Sequence, residues 1–116
     1  MNKHVRSFME LSVYQKTRAL SKEIFNVTKT FPKEEDYALK DQLRRSVRSI
    51  GANIAEAWGK RKYEKNFISK LIDANAEQME TLHWVDTAAN ECGYLNLDQA
   101  QRLSQNCEEI GRYPGC

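Results

Sequence analysis

Between Phe31 and Lys62 the chain reads FPKEEDYALKDQLRRSVRSIGANIAEAWGKRK, and after Pro32 this run contains no further proline. Leu39, Leu43, Val47, Ile50, Ile54 and Ala57 recur every three or four residues, the spacing that puts them on one face of a long helix. Arg44, Arg48, Gly51, Ala52 and Ala55 fall on a second face. A solvated face gains nothing from a glycine and two alanines, whereas small residues let another backbone approach closely. This helix is therefore expected to pack on two sides.

The other segments repeat the pattern. Val13, Thr17, Leu20, Ile24 and Val27 form a stripe spaced four, three, four, three, behind a Ser12–Gln15 pair that reads as a capping box. Phe67, Leu71, Ala74, Gln78, Leu82, Val85 and Ala89 form a third stripe, stopped by Gly93. Asn96 followed by Gln99 opens a fourth segment carrying Leu97, Ala100, Leu103, Cys107 and Ile110, with Gly111 and Pro114 behind it. The expected helices span about 13–30, 35–58, 64–92 and 97–111. No β-alternation competes, so the chain is predicted to be one all-α domain, an antiparallel up-down four-helix bundle. The fourth helix is short and leaves part of the bundle to be covered by something else.

A chain of 116 residues with 41% hydrophobic and 29% charged residues can bury a substantial core. Its apolar runs are far too short to span a bilayer, and MNKHVRSFMELS lacks the apolar segment of a secretory signal. Cys92, Cys107 and Cys116 include no CxxC pair and read as reduced thiols, which points to the cytoplasm. His4 and His83 stand apart without ligand spacing, so no metal and no cofactor are expected.

The charge is unevenly placed. From Lys40 to Lys62 there are seven basic residues against Asp41 and Glu56, a net of +5. From Asp73 to Glu91 there are five acids and no Lys or Arg, a net of −5. Either the two segments neutralise each other or the basic one meets an anionic partner. Asp41 is placed to reach Arg45 within its helix, and Glu56 to pair with Arg61. Asn53, Asn75 and Gln78 meet the seams and are expected to be bonded inside the protein. Trp84 falls away from its stripe among acids, which suggests burial against a partner or partial shielding by its own neighbours. No phosphate-cradling loop, nucleophile elbow or paired carboxylates are present, so an enzyme is not expected.

The run from Phe31 to Arg61 resembles the signature of small bacterial four-helix-bundle proteins encoded within intervening sequences of large-subunit ribosomal RNA genes. The matching positions include Phe31, Pro32, Glu35, Tyr37, Leu39, Gln42, Arg44, Arg45 and the Ser49–Ile50 and Asn53–Glu56 blocks. Leu11–Gln15 and the Gly93–Tyr94–Leu95 corner are similar as well. Ala57 departs from the usual glycine, and the C-terminal helix ends early at Gly111–Pro114. The family is also similar to the accessory variability protein of diversity-generating retroelements. The resemblance implies a homopentameric ring and, by analogy with the retroelement relatives, contact with nucleic acid or with a protein encoded nearby.

Together these readings assign Arg45, Lys60, Arg61 and Lys62 to RNA or DNA phosphates. They assign Arg44, Arg48, Gly51, Ala52, Ala55 and Trp84 to contacts between subunits. The alternative is a scaffold without a nucleic-acid ligand, in which the basic face of the second helix meets the acidic face of a neighbour's third.

Overall fold

The computed structural model describes residues 5–112; His4, Tyr113, Pro114 and Cys116 lie outside them. The described residues are all-helical, with four helices and no strand: α1 Ser12–Thr28, α2 Leu39–Gly59, α3 Glu64–Asp86 and α4 Leu97–Gly111. Short 3-10 turns at Phe8–Glu10 and Lys33–Glu35 precede α1 and α2, and a π-turn at Thr87–Glu91 follows α3. The core is the intersection of the four stripes. Leu20 and Ile24 of α1, Leu43, Val47, Ile50 and Ile54 of α2, Val85 of α3 and Leu103, Cys107 and Ile110 of α4 are all buried.

The second stripe is buried along its whole length, from Leu39 to Ala57. The third is offset: Thr81 and Ala88 are buried while Leu82 and Ala89 are only half-buried. Thr81 finds its place because its hydroxyl lies 2.9 Å from both the Glu77 carbonyl, to which it donates, and Ser46 Oγ, tying α3 to α2 without a stranded polar atom. Leu97 leaves the expected fourth stripe and stands 74% exposed.

Several ends differ from expectation for local reasons. Ser12 and Gln15 form no capping box; the N-cap of α1 is Leu11, without a side-chain bond. The 3-10 turn just before it, capped by Ser7, brings the Met9 carbonyl within reach, and Gln15 Nε2 donates there at 3.2 Å. Helix α2 starts at Leu39 rather than near residue 35, because Pro32 opens a separate 3-10 turn. Glu35 then caps from outside, its carboxylate accepting from Leu39 N at 3.2 Å. Gly59 closes α2 from within rather than breaking it earlier.

Two predicted signals stand as read. Asn96 and Gln99 form a reciprocal capping box. Gly93 has φ +71°, the left-handed conformation that suits glycine. That turn sends Tyr94 N back to the Ala88 carbonyl at 2.7 Å, one residue deeper than an ordinary helix stop because the π-turn adds a residue.

Helix α4 meets α3 around Gln78. The Gln78 amide donates to the Cys107 carbonyl at 3.3 Å, and the Gln78 carbonyl accepts from Cys107 Sγ at 3.5 Å. A Cβ on Gly111 would stand 3.1 Å from the same amide, which would have to give by a few tenths of an ångström to admit it. Of the three polar seam residues, Gln78 alone is buried. Asn53 donates to Ser49 O of its own helix at 3.0 Å, and Asn75 is exposed, since α4 ends beside Gln78 and nothing covers the turn before it. At about 1.5 Å per residue, α3 outruns α4 by roughly 12 Å. The uncovered stretch carries Ile68 and Ile72, 46% and 63% exposed.

Candidate nucleic-acid interface

Apart from Lys40, which pairs with Asp36 at 2.6 Å, the basic residues of α2 and the turn after it divide into three settings. Arg44 faces α1. Its Nε donates to Thr28 Oγ1 at 2.8 Å, one terminal nitrogen donates to the Phe25 carbonyl at 3.0 Å, and the guanidinium lies 4.3 Å from the Phe25 ring centre. A cation at the C-terminal carbonyls of α1 is favoured by the helix dipole. Arg48, one turn on, is exposed and sits 6.0 Å from the same ring.

Arg45 faces the other way, towards α3. It makes no ion pair with Asp41; its positive charge is felt by Glu77 instead. Glu77 is nonetheless pushed above the ordinary carboxylate range, chiefly by burial and then by Glu80, with Arg45 opposing.

Lys60, Arg61 and Lys62 form an exposed corner where α2 turns into α3. Arg61 lies 4.2 Å over the Trp58 ring and donates to the Trp58 carbonyl at 2.9 Å. It does not meet Glu56. That carboxylate pairs with Lys70 of α3 at 2.7 Å, and the hydrogen bond from Lys70 holds it below its ordinary range. Among the described residues no carboxylate comes within 4.0 Å of Lys60, Arg61 or Lys62. About fifteen residues of helix, roughly 22 Å, separate Arg45 from this corner, so the four residues do not form one patch.

Gly51, Ala52 and Ala55 lie on an open groove of about 320 Å³ with Tyr14, Thr17 and Arg48. A Cβ on Gly51 would meet Thr17 and Tyr14 at 3.7 Å, ordinary contact, so the small residues leave the groove open rather than admit α1 closer. Trp84 stands elsewhere. It is half-buried against the core edge, with its ring nitrogen donating to Glu80 at 3.3 Å.

Sequence reasoning missed the basic residues that α1 brings to this side. Arg18, Lys22, Phe25 and Lys29 are spaced four, three and four, one stripe of α1 beside the one that is buried. The signal was present in that spacing, hidden because α1 as a whole has no charge run. Lys29 Nζ is 4.8 Å from the Phe25 ring centre, and Arg18, Lys22, Phe25 and Arg48 border an open cleft of about 520 Å³.

The opposite side is acidic but largely committed within the chain. Asp73 lies 3.8 Å from Lys70, Glu80 accepts from Trp84, and Asp86 accepts from Asn90 at 2.7 Å. No cluster of His, Cys, Asp and Glu that could hold a metal occurs among the described residues. No helix of the described residues is long and apolar enough to cross a membrane.

These features define an all-α protein of four helices with its charges sorted by face. Residues 9–114 match the family model of the 23S rRNA-intervening sequence proteins, and the chain belongs to that family. It is similar to the crystal structure of a protein of unknown function from the S23 ribosomal protein family of Bacteroides thetaiotaomicron. The two are 29% identical with a TM-score of 0.76, over 86% of this chain and 92% of that one. No curated protein matches the chain.

Proposed function

We propose that this chain is a non-enzymatic, self-associating cytoplasmic protein that contacts RNA or another nucleic acid through a basic surface. Its four helices would run up and down in antiparallel order. Two pairings across α1 and α2 support that order: Thr28 with Arg44, and Thr17 with Gly51. The observation that carries the ligand is the exposed Lys60–Arg61–Lys62 corner, three cations with no carboxylate within 4.0 Å among the described residues. Such a corner suits phosphates, and each contact releases counterions. The family's name, which ties its members to intervening sequences of 23S rRNA, supports RNA as the class.

Self-association is supported by surface that one chain leaves open. The groove over Gly51, Ala52 and Ala55 accepts a ridge, and Ile68, Ile72 and Met79 supply an exposed one on α3, flanked by Asp73 and Glu80. A groove and a ridge on different parts of one molecule pair head to tail, which closes into a ring when the rotation allows. A ring of five is the form the family resemblance implies. The same complementarity favours a second reading, an interaction scaffold without nucleic acid.

Gel shift and sedimentation on Arg45→Gln, Lys60→Gln, Arg61→Gln and Lys62→Gln combined separate the two. The proposal expects weaker RNA binding with assembly intact. The slope of log affinity against log salt should flatten by about 0.7–0.9 per lost phosphate contact. Unchanged affinity would remove the ligand, and a parent chain that sediments as a monomer at micromolar concentration would remove the assembly.

A further inference from the structure

We infer that the cleft bordered by Arg18, Lys22, Phe25 and Arg48, with Lys29 and Arg44 gathered on the Phe25 ring at its edge, binds the phosphate backbone of single-stranded RNA. This rests on the reading of the chain as a nucleic-acid-binding protein and gives that function a second, larger site. Five cations converge there, and among the described residues no carboxylate lies within 4.0 Å of any of them. Like charges gathered this closely repel, and an anion in the cleft relieves the repulsion.

The geometry suits a strand rather than a point charge. On α1 the row from Arg18 to Lys29 covers about 16 Å, and Arg44 and Arg48 form a shorter row across from it. A strand laid along the α1 row would pass over the open cleft of about 520 Å³ and meet these cations in turn. The Phe25 ring, 37% exposed, holds Arg44 and Lys29 within 4.3 and 4.8 Å of its centre, which fixes both cations before a ligand arrives. Arg44 spends two of its five N–H donors on Thr28 and the Phe25 carbonyl and keeps three for phosphate.

The acidic side of a second copy is the weaker occupant. Asp73 lies beside Lys70, and the Glu77 carboxyl is half-buried with its proton affinity raised. The charges that remain, on Glu80, Asp86 and Glu91, are fewer than the five cations, whereas RNA supplies one negative charge per nucleotide.

The test is fluorescence anisotropy of a labelled oligouridylate with the full chain, titrated at several salt concentrations. Arg18→Gln, Lys22→Gln and Lys29→Gln are combined, since all three side chains are exposed. Arg44 is left in place because it holds the end of α1. The expected result is a weaker complex whose salt slope falls by about 2, at 0.7 per contact for a single strand. Lys22→Gln alone should lower it by about 0.7, which keeps the test decisive if the triple variant folds poorly. Parent affinity and slope in both variants overturn the inference. If only the Lys60–Lys62 variants lose binding, the cleft is ruled out and the nucleic-acid reading stands. If the parent binds no RNA at low salt, both fall. Loss of the oligomer in Lys22→Gln, which lies outside the Gly51–Ala55 groove, gives the cleft to a second copy, and equal sensitivity with a duplex overturns the single-strand assignment.

Discussion

The two turns that flank α2 are built in opposite ways. At the first, Phe31 packs against Tyr94 with ring centres 5.2 Å apart, and the Tyr94 hydroxyl donates to Glu35 at 2.8 Å. The other carboxylate oxygen of Glu35 accepts from Leu39 N, while Arg44 secures the end of α1. One short stretch thus joins the start of α2 to the segment between α3 and α4. At the second turn, Lys60 to Asn66 are all exposed, and Ile68 and Ile72 face outward beyond the end of α4. The first turn spends Phe31 and Glu35 on its own fold and leaves Tyr37 97% exposed. The second leaves charge and apolar surface unspent, which is where a partner has something to gain.

The largest test of that contrast compares two aliphatic residues. Leu43 is 1% exposed, and Leu43→Ala should cost about 2–5 kcal/mol of stability through lost burial and a residual cavity. Ile72→Ala, at a 63% exposed position, should change monomer stability by no more than about 0.5 kcal/mol. Urea unfolding at two protein concentrations sharpens the comparison. A cost at Ile72 that grows with concentration means a neighbouring subunit covers it, because assembly stabilises by mass action. A large cost independent of concentration means the second turn is packed after all.

How much of this was legible follows from which forces act locally. The α2 stripe was readable because burial follows a 3.6-residue period and no breaker interrupts it. The Asn96 box and the Gly93 stop were readable because each is a contact within a few residues. The Ser12 box was misread because a competing acceptor, Met9 O, came from a 3-10 turn that the pattern does not announce. Pairs between helices were not legible: Glu56 chose Lys70 over Arg61, and Arg44 chose the end of α1. The cleft was missed for the same reason. Three of its five cations belong to α1 and its C-cap, and only packing brings the two rows together.

A pair of glycine substitutions tests the contrast with opposite signs. Neither Gly93 nor Gly59 has an atom within 4 Å of where a Cβ would stand, so crowding plays no part in either. Gly93 carries φ +71°, and Gly93→Ala should cost about 1 kcal/mol from the backbone alone. Gly59 is the last residue of α2, and among the described residues Gly93 is the only glycine with positive φ. Gly59→Ala should therefore stabilise by about 0.4–1 kcal/mol, mainly by restricting the unfolded chain. Thermal melts of the two variants check the signs. A destabilising Gly59→Ala would mean that the second turn is held in a specific conformation rather than left open.

The smallest effect comes from Tyr94 and is seen only at high pH. Its hydroxyl is pushed up from 10.0 to about 12, first because it donates to Glu35 and then because of burial and the negative charge of Glu35. A raised value for a tyrosine means that the folded state favours the neutral, protonated form. Below pH 10 both folded and unfolded chains hold the proton, and the contribution is present in full. Between pH 10 and about 12 the unfolded chain has lost the proton and the folded chain keeps it, so unfolding releases a proton and stability falls as pH rises. Lysines titrate in the same window, so the informative quantity is a difference between two proteins. Tyr94→Phe should melt lower than the parent near neutral pH, and its melting temperature should decline less steeply from pH 10 to 12. Parallel declines would show that the Tyr94–Glu35 bond does not persist in solution, and the first turn would then be no more firmly closed than the second.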